Sequence, residues 1–264
     1  MPTYSNSRLN KFEECPRAYK FKYIQEIEVE KVRNIYAFLG NRVHETLEHL
    51  HKNLKDGNFC SLEDLFEFYE NIWKEKWSDD IEIYGKDSPK RFREVGKKCI
   101  ENYYEKHKPF NDETIDTELI IHPKVKVDDH EYTFLGYIDR LALRNGNKYE
   151  IHDYKTSKNV PNKEDLKNNR QLPLYQLGVQ QEYSNAENIE LVWHYVRFGK
   201  DFRISHSQEK IDMIKREVVK EIKEIEEARE KGDFPTMRNR GANCNWCDFQ
   251  DICPEWNQQG KSNF

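Results

Sequence analysis

The spacing of apolar residues changes from a helical period to a strand period near residue 115, and this change constrains the fold most. Before it, helical spacing predicts helices over residues 5–25, 35–55, 61–77 and 90–107. After it, alternation predicts strands over 115–127, 132–143 and 148–154, then a helix over 163–182, strands over 190–198 and 202–205, and a helix over 207–231. The pattern indicates an α/β fold in which a mixed sheet from the 115–205 region is flanked by helices.

The chain has 264 residues and we expect a single domain over 1–264, with a helical part (1–110), a sheet core (111–206) and a helical, cysteine-rich end (207–264). Its net charge of −5 argues against a protein that coats nucleic acid through bulk charge. No apolar run approaches a membrane span and the start lacks a signal-peptide pattern, so we expect a cytoplasmic protein without membrane contact.

A local cluster of basic residues lies around the start of the fourth predicted helix. Its members are Lys86, Lys90, Arg91, Arg93, Lys97 and Lys98. The cluster could line a groove that binds nucleic acid, or it could be the solvated face of a helix, and both interpretations stay open.

Two carboxylates and a lysine lie in the two strands that Asn145–Gly146 connects. Asp139 belongs to the first strand, and Asp153 and Lys155 belong to the second. Carboxylate oxygens suit Mg²⁺ or Mn²⁺, which can polarise a phosphate and generate hydroxide, while an ammonium group stabilises the extra charge of the transition state. An exposed edge strand is the alternative for an Asp-x-Lys pattern, but these carboxylates interrupt an apolar face, which favours a metal or a paired charge.

The length of the hairpin loop decides whether both carboxylates share a face. A two-residue turn at Asn145–Gly146 would place Asp139 opposite His152 and point Asp153 to the other face. A three-residue loop, Arg144–Asn145–Gly146 with Gly146 left-handed, shifts the pairing by one. The residues that would then share a face are Leu135, Tyr137, Asp139, Leu141, Leu143, Tyr149, Ile151, Asp153 and Lys155. We predict this bulged loop, or an equivalent bulge inside a strand.

The six cysteines are more typical of metal ligands or buried thiols than of disulfides in an intracellular chain. Cys244, Cys247 and Cys253 lie within one short segment, and Cys15 is the natural fourth member. Zinc usually takes two paired knuckles, whereas an iron-sulfur cluster accepts four thiolates from any direction, so this spacing favours the cluster over zinc. Cys60 and Cys99 lack partner spacing and are interpreted as ordinary small residues.

Four motifs occur in an order that resembles the PD-(D/E)XK nuclease superfamily, in particular its RecB-like branch with CRISPR-associated exonucleases and the AddB C-terminal domain. The motifs are Gly40–His44, Gly136–Arg140, Asp153–Thr156 and Gln171–Tyr175. The resemblance implies a restriction-endonuclease-like fold whose helical N-terminal part covers the active-site cleft. It also implies that Cys15, Cys244, Cys247 and Cys253 hold a 4Fe-4S cluster that joins the N- and C-terminal segments.

The same resemblance implies roles for individual residues. The metal ligands would be His44, Asp139, Asp153 and the carbonyl of Tyr154. Lys155 would act with the nucleophilic water, while Gln171 and Tyr175 would shape the site and hold the DNA backbone. Because proline is tolerated only in a first helical turn, Pro173 predicts that the helix begins near Leu172 and leaves Gln171 just outside it.

The implied activity is hydrolysis of DNA phosphodiester bonds with Mg²⁺ or Mn²⁺, from an end and on single strands, in DNA repair, recombination or CRISPR adaptation. A helicase or an integrase partner is left open. Candidates for stacking on unpaired bases are Tyr19, Tyr23, Phe38 and Tyr104. Two alternatives remain: a non-catalytic DNA-binding module that keeps the cluster, and a zinc-stabilised RNA-processing protein.

Overall fold

The computed structural model describes residues 3–29, 33–83, 87–167, 169–237, 244 and 247–258. The chain divides into two compact units. The larger unit comprises 33–124 and 135–212, and the smaller comprises 1–32, 125–134 and 213–264. A single domain over 1–264 stays a prediction.

The helices and strands follow the predicted order. The helices are α1 (Asn6–Glu14), α2 (Pro16–Tyr19), α3 (Ile35–Lys55), α4 (Leu62–Lys76), α5 (Pro89–His107), α6 (Lys163–Lys167), α7 (Gln171–Glu182), α8 (Gln208–Lys231) and α9 (Pro254–Gln258). The strands are β1 (Glu113–Ile121), β2 (Lys124–Val127), β3 (His130–Thr133), β4 (Gly136–Arg144), β5 (Lys148–Lys155), β6 (Asn188–Tyr195) and β7 (Lys200–Ile204). A π-helical turn, Lys20–Ile24, follows α2. Among the described residues, no helix combines the length and apolar composition of a membrane span.

Several predicted elements are interrupted, two of them at prolines. The predicted helix over 5–25 breaks at Cys15, which takes an extended conformation (φ −166°) because the helical one is disfavoured before Pro16. The predicted strand over 115–127 divides into β1 and β2 around Pro123, which cannot donate to a ladder. The predicted strand over 132–143 divides into β3 and β4, and the predicted helix over 163–182 into α6 and α7.

The larger unit contains a five-stranded sheet with the strand order β1-β4-β5-β6-β7. Only the β5–β6 pair is parallel, and the chain crosses between them through α6 and α7, as a parallel connection requires. Tyr103 of α5 contacts the rings of Tyr154 and His194 on one face, while α7 packs on the apolar cluster of the other. The predicted mixed sheet flanked by helices is confirmed.

The β4–β5 hairpin has a three-residue loop, but not at the predicted position. Arg144 pairs with Lys148, so the loop is Asn145–Gly146–Asn147 rather than Arg144–Asn145–Gly146. Asn145 (φ 53°) and Gly146 (φ 74°) are both left-handed, and asparagine tolerates this region better than most residues. The odd-numbered residues of both strands still share a face, and Leu141, Leu143, Tyr149 and Ile151 pack in one cluster as predicted.

The alternation of side chains along β4 breaks at Asp139, which corrects the predicted face. Ile138 packs in the same buried cluster as Leu141, three residues later, whereas Tyr137 is 51% exposed. Tyr137 therefore does not join the apolar face. The break coincides with a left-handed residue, Glu118 (φ 49°), in the neighbouring β1 strand, and β1 also has a bulge between Thr114 and Asp116.

In the smaller unit, backbone and side-chain hydrogen bonds connect the N-terminal segment to other parts of the chain. The Tyr4 N–H donates to the Thr133 carbonyl at 2.9 Å. Arg17 donates from its backbone N–H to the Pro235 carbonyl at 3.2 Å and from Nε to the Phe234 carbonyl at 2.7 Å. These bonds hold the segment around Cys15 beside the chain that follows α8.

Candidate active site

His44 lies in α3 and contacts two of the other predicted ligands. Its Nε2 donates a 2.8 Å hydrogen bond to the Tyr154 carbonyl, and its Nδ1 lies 3.5 Å from Oδ2 of Asp139. The helix that carries it begins after Asn34, whose side chain accepts from the Ala37 N–H. Gly40, one turn earlier, lies against the strand end: a Cβ there would be 3.2 Å from the Thr156 hydroxyl.

Asp139 and Asp153 occupy neighbouring strands just beyond the last regular pair, Arg140 with His152. Asp139 Oδ2 accepts a 2.6 Å hydrogen bond from the Tyr154 N–H. Asp153 is 5% exposed, and its two oxygens lie 2.9 Å and 2.7 Å from Lys155 Nζ. The structure thus brings His44, both carboxylates, the Tyr154 carbonyl and Lys155 to one region of the larger unit.

Glu118 is an additional carboxylate that sequence reasoning missed. The ligand atoms of His44, Glu118 and Asp139 lie within 4.8 Å of one another. Glu118 lies in β1 between Thr117, which pairs with Arg140, and Leu119, which pairs with Ile138, so it is set against Asp139. The segment Glu113–Ile121 contains several polar residues besides Glu118, and only the β1–β4 register could have singled Glu118 out.

The charges at the site are unbalanced toward negative. Partial desolvation raises the pKa of Glu118, although the residue is exposed, and the negative charge of Asp139 raises it further. Burial also raises the pKa of Asp153, which Lys155 partly opposes. Burial would raise the pKa of Asp139 too, but His44, the Tyr154 N–H and Lys155 hold it below its ordinary value. Burial disfavours a charged Lys155, yet Asp153 and Asp139 raise its pKa, so the ammonium form is kept.

This donor set fits a hard divalent cation. Carboxylates, an imidazole and a main-chain carbonyl are ligands of the kind that Mg²⁺ and Mn²⁺ take. Burial lowers the pKa of His44, but Asp139 outweighs this and raises it to about 8, so His44 and Lys155 together offset two of the three carboxylates and leave the site negative. Among the described residues, His44, Glu118 and Asp139 have ligand atoms within 4.8 Å of one another and could hold such an ion, with the Tyr154 carbonyl beside them. Asp153, which pairs with Lys155, is outside that group. The ion would relieve the repulsion that raises the pKa of Glu118.

Gln171 and Tyr175 share a helix face beside this site. The prediction that Gln171 lies outside the helix is wrong, because α7 begins at Gln171 and accommodates Pro173 within its first turn. Gln171 Nε2 donates to the Tyr175 hydroxyl at 3.2 Å. The Tyr175 ring fills the space above Gly136, where a Cβ would be 2.4 Å from a ring carbon.

A buried polar network lies on the opposite face of the same strands. Arg140, which follows Asp139, is 2% exposed, and its Nη2 donates to His152 at 2.9 Å. His152 and His194 are hydrogen-bonded at 2.8 Å, and His194 Nδ1 donates to Asp201 at 2.9 Å. These residues alternate with the site residues along the strands and are hydrogen-bonded mainly to one another, although Arg140 Nε has no hydrogen-bond partner among the described residues, so they act as support for the site rather than as part of it.

The four predicted cluster cysteines line one cavity in the smaller unit. The cavity has a volume of about 290 Å³, and Cys15, Cys244, Cys247 and Cys253 all line it. Within the part of the chain that the structure describes, no three cysteine sulfurs lie within 4.8 Å of one another. Cys60 and Cys99 are buried elsewhere as free thiols, and burial raises the pKa of Cys99 to about 12.

The predicted basic cluster is largely paired with acidic residues, which favours a solvated helix face over a groove. Glu70 contacts Arg93 at 3.3 Å and Lys97 at 2.7 Å, and Glu101 contacts Lys98 at 2.7 Å. Arg91 pairs with Asp87. Lys86 lies outside the described residues.

The predicted stacking residues are mostly packed. Tyr19 is 0% and Tyr104 is 7% exposed, which removes both as platforms for a base. Phe38 is half-buried, makes edge contacts with Trp73 and Trp77, and carries the Arg42 guanidinium over its ring. Tyr23 is half-buried beside Tyr19.

Comparison with known proteins identifies the family of the chain. The model of the PD-(D/E)XK nuclease superfamily matches residues 3–254. A candidate exonuclease from Eubacterium rectale has a similar structure, with 12% identity over 92% of this chain and 86% of that one and a TM-score of 0.50, which supports the fold alone. The crystal structure of SSO0001 aligns over 94% of this chain and 95% of its own, with 18% identity and a TM-score of 0.36. No curated protein matches the sequence. Because the family model spans nearly all of the sequence, this chain belongs to the PD-(D/E)XK nuclease superfamily.

Proposed function

We propose that the protein is a Mg²⁺- or Mn²⁺-dependent deoxyribonuclease whose active site is formed by Asp139, Asp153 and Lys155. The observation that carries the proposal is the grouping of His44, Glu118 and Asp139 ligand atoms within 4.8 Å of one another, beside the Asp153–Lys155 pair. A bound divalent cation would polarise the phosphate and lower the pKa of the attacking water.

The chain's own residues would hold and orient the reactants. The Tyr154 N–H fixes the rotamer of Asp139, and the Tyr154 carbonyl fixes the ring of His44. Lys155 keeps its proton at Nζ, so it would stabilise negative charge on the phosphate and hold the water rather than accept a proton. The Tyr175 ring would form part of the surface on which the substrate lies beside these residues.

We infer single-stranded DNA with an end as the substrate class, so that the protein would act as an exonuclease. Support comes from the resemblance of the four motifs to the RecB-like branch. A role in repair, recombination or CRISPR adaptation, beside a helicase or an integrase, belongs to the same inference.

Cleavage of end-labelled DNA with Mn²⁺ tests the activity. Wild-type protein should cut, whereas Lys155→Ala and Asp139→Ala should lose about 10³-fold or more in rate, as loss of transition-state stabilisation predicts. Lys200→Ala and Asp79→Ala, which change exposed residues, are the matched controls. Retained cleavage in both site variants would overturn the assignment, and equal cutting of closed circular single strands would remove the need for an end.

We further propose that Cys15, Cys244, Cys247 and Cys253 hold a 4Fe-4S cluster. A single zinc ion with sulfur ligands at about 2.3 Å needs them closely packed, whereas these four residues line an open cavity of about 290 Å³. The cluster would tie the first helices to the C-terminal segment, which Arg17 already contacts. Brown protein with broad absorbance near about 400 nm supports iron and sulfur. Colourless protein with stoichiometric zinc favours the zinc alternative, and cleavage of RNA with none of DNA would redirect the substrate assignment.

A further inference from the structure

Tyr137 and Ile120 form an exposed apolar pair close to the site. Tyr137 lies two residues before Asp139 in β4, and Ile120 is its direct partner in β1. Both side chains are 51% exposed, although most neighbouring positions of β4 are buried. Apolar surface left in water costs free energy, and a pair of large side chains exposed side by side is typical of a contact surface.

The break in alternation at Asp139 is what turns Tyr137 outward. Gly136 and Ile138 both face the cluster on which α7 packs, so Tyr137 between them must face the opposite way. The same break places the Asp139 carboxylate next to His44. One local irregularity therefore presents a catalytic carboxylate and an aromatic ring about 7 Å apart along the strand.

We propose that Tyr137, with Ile120 beside it, stacks on an unpaired base of the DNA strand whose phosphate is held at Asp139. This inference rests on the proposed nuclease function and adds a residue that selects the substrate. Two residues of a β-strand span about 7 Å. This length is similar to the distance from a bound phosphate to the neighbouring nucleotide in an extended DNA strand. A base has an accessible π-face only when it is unstacked from its neighbours, so a single strand or a frayed end would be preferred over an intact duplex.

The backbone around Tyr137 is held rigidly enough to serve as a platform. The Tyr175 hydroxyl accepts a hydrogen bond from Gln171 at 3.2 Å, and the Tyr137 backbone partly opposes the rise that burial causes in the pKa of this hydroxyl. The Tyr175 ring lies against Gly136 so closely that no side chain fits there. A platform fixed before binding loses little conformational entropy when a base stacks on it. Gln171 and Tyr175 thus act on the substrate through the Gly136–Tyr137 backbone.

Fluorescence anisotropy measures binding of a labelled single-stranded oligonucleotide to the 264-residue chain. The chain carries Lys155→Ala, so that it does not cleave the oligonucleotide during the measurement. In this background Tyr137→Ala should weaken binding about 5- to 100-fold, while Tyr137→Phe, which keeps the ring, should stay within about twofold. Phe198→Ala removes an aromatic side chain of similar exposure (44%) and should leave binding unchanged. An abasic site at one position of the oligonucleotide should reproduce the loss, and at that position Tyr137→Ala should add nothing further.

The outcomes separate this inference from the proposed function. If wild-type protein cleaves single-stranded DNA, and adding Tyr137→Ala to the Lys155→Ala protein does not weaken oligonucleotide binding, only the base-stacking role is overturned. The role is also overturned if, at every abasic position tested, the loss of affinity from the missing base and the loss from Tyr137→Ala simply add. In that case no base of the oligonucleotide would depend on the Tyr137 ring for its binding. Absence of both cleavage by wild-type protein and binding by the Lys155→Ala parent overturns the nuclease proposal itself.

Discussion

The backbone N–H of Tyr154 donates a 2.6 Å hydrogen bond to Oδ2 of Asp139. It joins the two carboxylate-bearing strands where their regular pairing ends at Arg140 and His152. The carbonyl of the same residue accepts from His44 at 2.8 Å, and its buried ring makes an edge contact with the His44 ring at 5.8 Å between centroids. Tyr154 therefore orients Asp139 through its backbone N–H, and His44 through both its carbonyl and its side chain.

The Tyr154–Asp139 bond predicts different stabilities for two inactive variants. Asp139→Asn keeps an acceptor for the Tyr154 N–H but removes the charge that His44 and Lys155 attract, so its free energy of unfolding should fall somewhat below that of wild type. Asp139→Ala leaves the Tyr154 N–H without a partner and should be less stable than Asp139→Asn by about 1–3 kcal/mol. Urea unfolding of both variants measures the difference. Equal stability would show that this hydrogen bond contributes nothing.

Gly136 should not tolerate a side chain. A Cβ at this position would lie 2.4 Å and 2.8 Å from two carbons of the Tyr175 ring, so Gly136→Ala must displace the ring and should cost about 1–3 kcal/mol. Activity should fall with it, because Tyr175 holds the strand that leads to Asp139. Combining Gly136→Ala with Tyr175→Ala removes the clash, and the double variant should lose clearly less than the sum of the single losses. Additive losses would contradict the proposed contact.

The sequence predicted the site where chemistry and periodicity coincide, and it failed where long-range packing decides. Asp139, Asp153 and Lys155 lie on one local hairpin, so a turn signal was enough to bring them together, although the loop lies one residue later than predicted and alternation breaks at Asp139. Glu118 meets them only through the β1–β4 register and a left-handed backbone, which no local pattern encodes.

Burial of the polar face could not be predicted for a related reason. Alternation places His152 and Arg140 on the face of the hairpin opposite the apolar residues, yet they are 1% and 2% exposed. The helices α3 and α5, distant in sequence, bring His51 and Tyr103 onto that face. Most polar atoms on that face are hydrogen-bonded to one another, with Arg140 Nε an exception among the described residues, and the pattern of a single strand cannot show this pairing.

Cys15→Ser should remove the cluster, because a serine oxygen is a poor replacement for a thiolate ligand of iron. Iron and sulfide per chain and the absorbance near about 400 nm should fall together. Cys60→Ser is the matched control, since Cys60 is a buried free thiol outside the cavity and its variant should keep the iron. Full iron content in Cys15→Ser protein would exclude this residue as a ligand.

The stability of the fold should fall in mild acid because of buried His194. Burial lowers its pKa from 6.5 to about 4, so the unfolded chain binds a proton that the folded chain rejects between these values. Stability is therefore lost as pH falls from about 6.5 toward 4. Wild type should lose about 2 kcal/mol more between pH 7 and pH 5 than His194→Gln does. Exposed His122→Gln should keep the wild-type dependence in the same denaturant titrations, and an unchanged slope in His194→Gln would contradict the assignment.

Glu118 should contribute to metal binding. Its carboxylate groups with His44 and Asp139 within 4.8 Å, so Glu118→Gln removes one negative charge from the ligand set. We expect Mn²⁺ affinity, measured by electron paramagnetic resonance titration, to fall about 10-fold or more, and cleavage to recover at higher Mn²⁺ because Asp139 and Asp153 remain. Glu113→Gln is the matched control, since Glu113 is exposed at the other end of β1, opposite Leu143. Unchanged Mn²⁺ affinity in Glu118→Gln would mean that the carboxylate lies near the site without binding the ion. An equal loss of Mn²⁺ affinity in Glu118→Gln and Glu113→Gln would show that the effect comes from the overall surface charge.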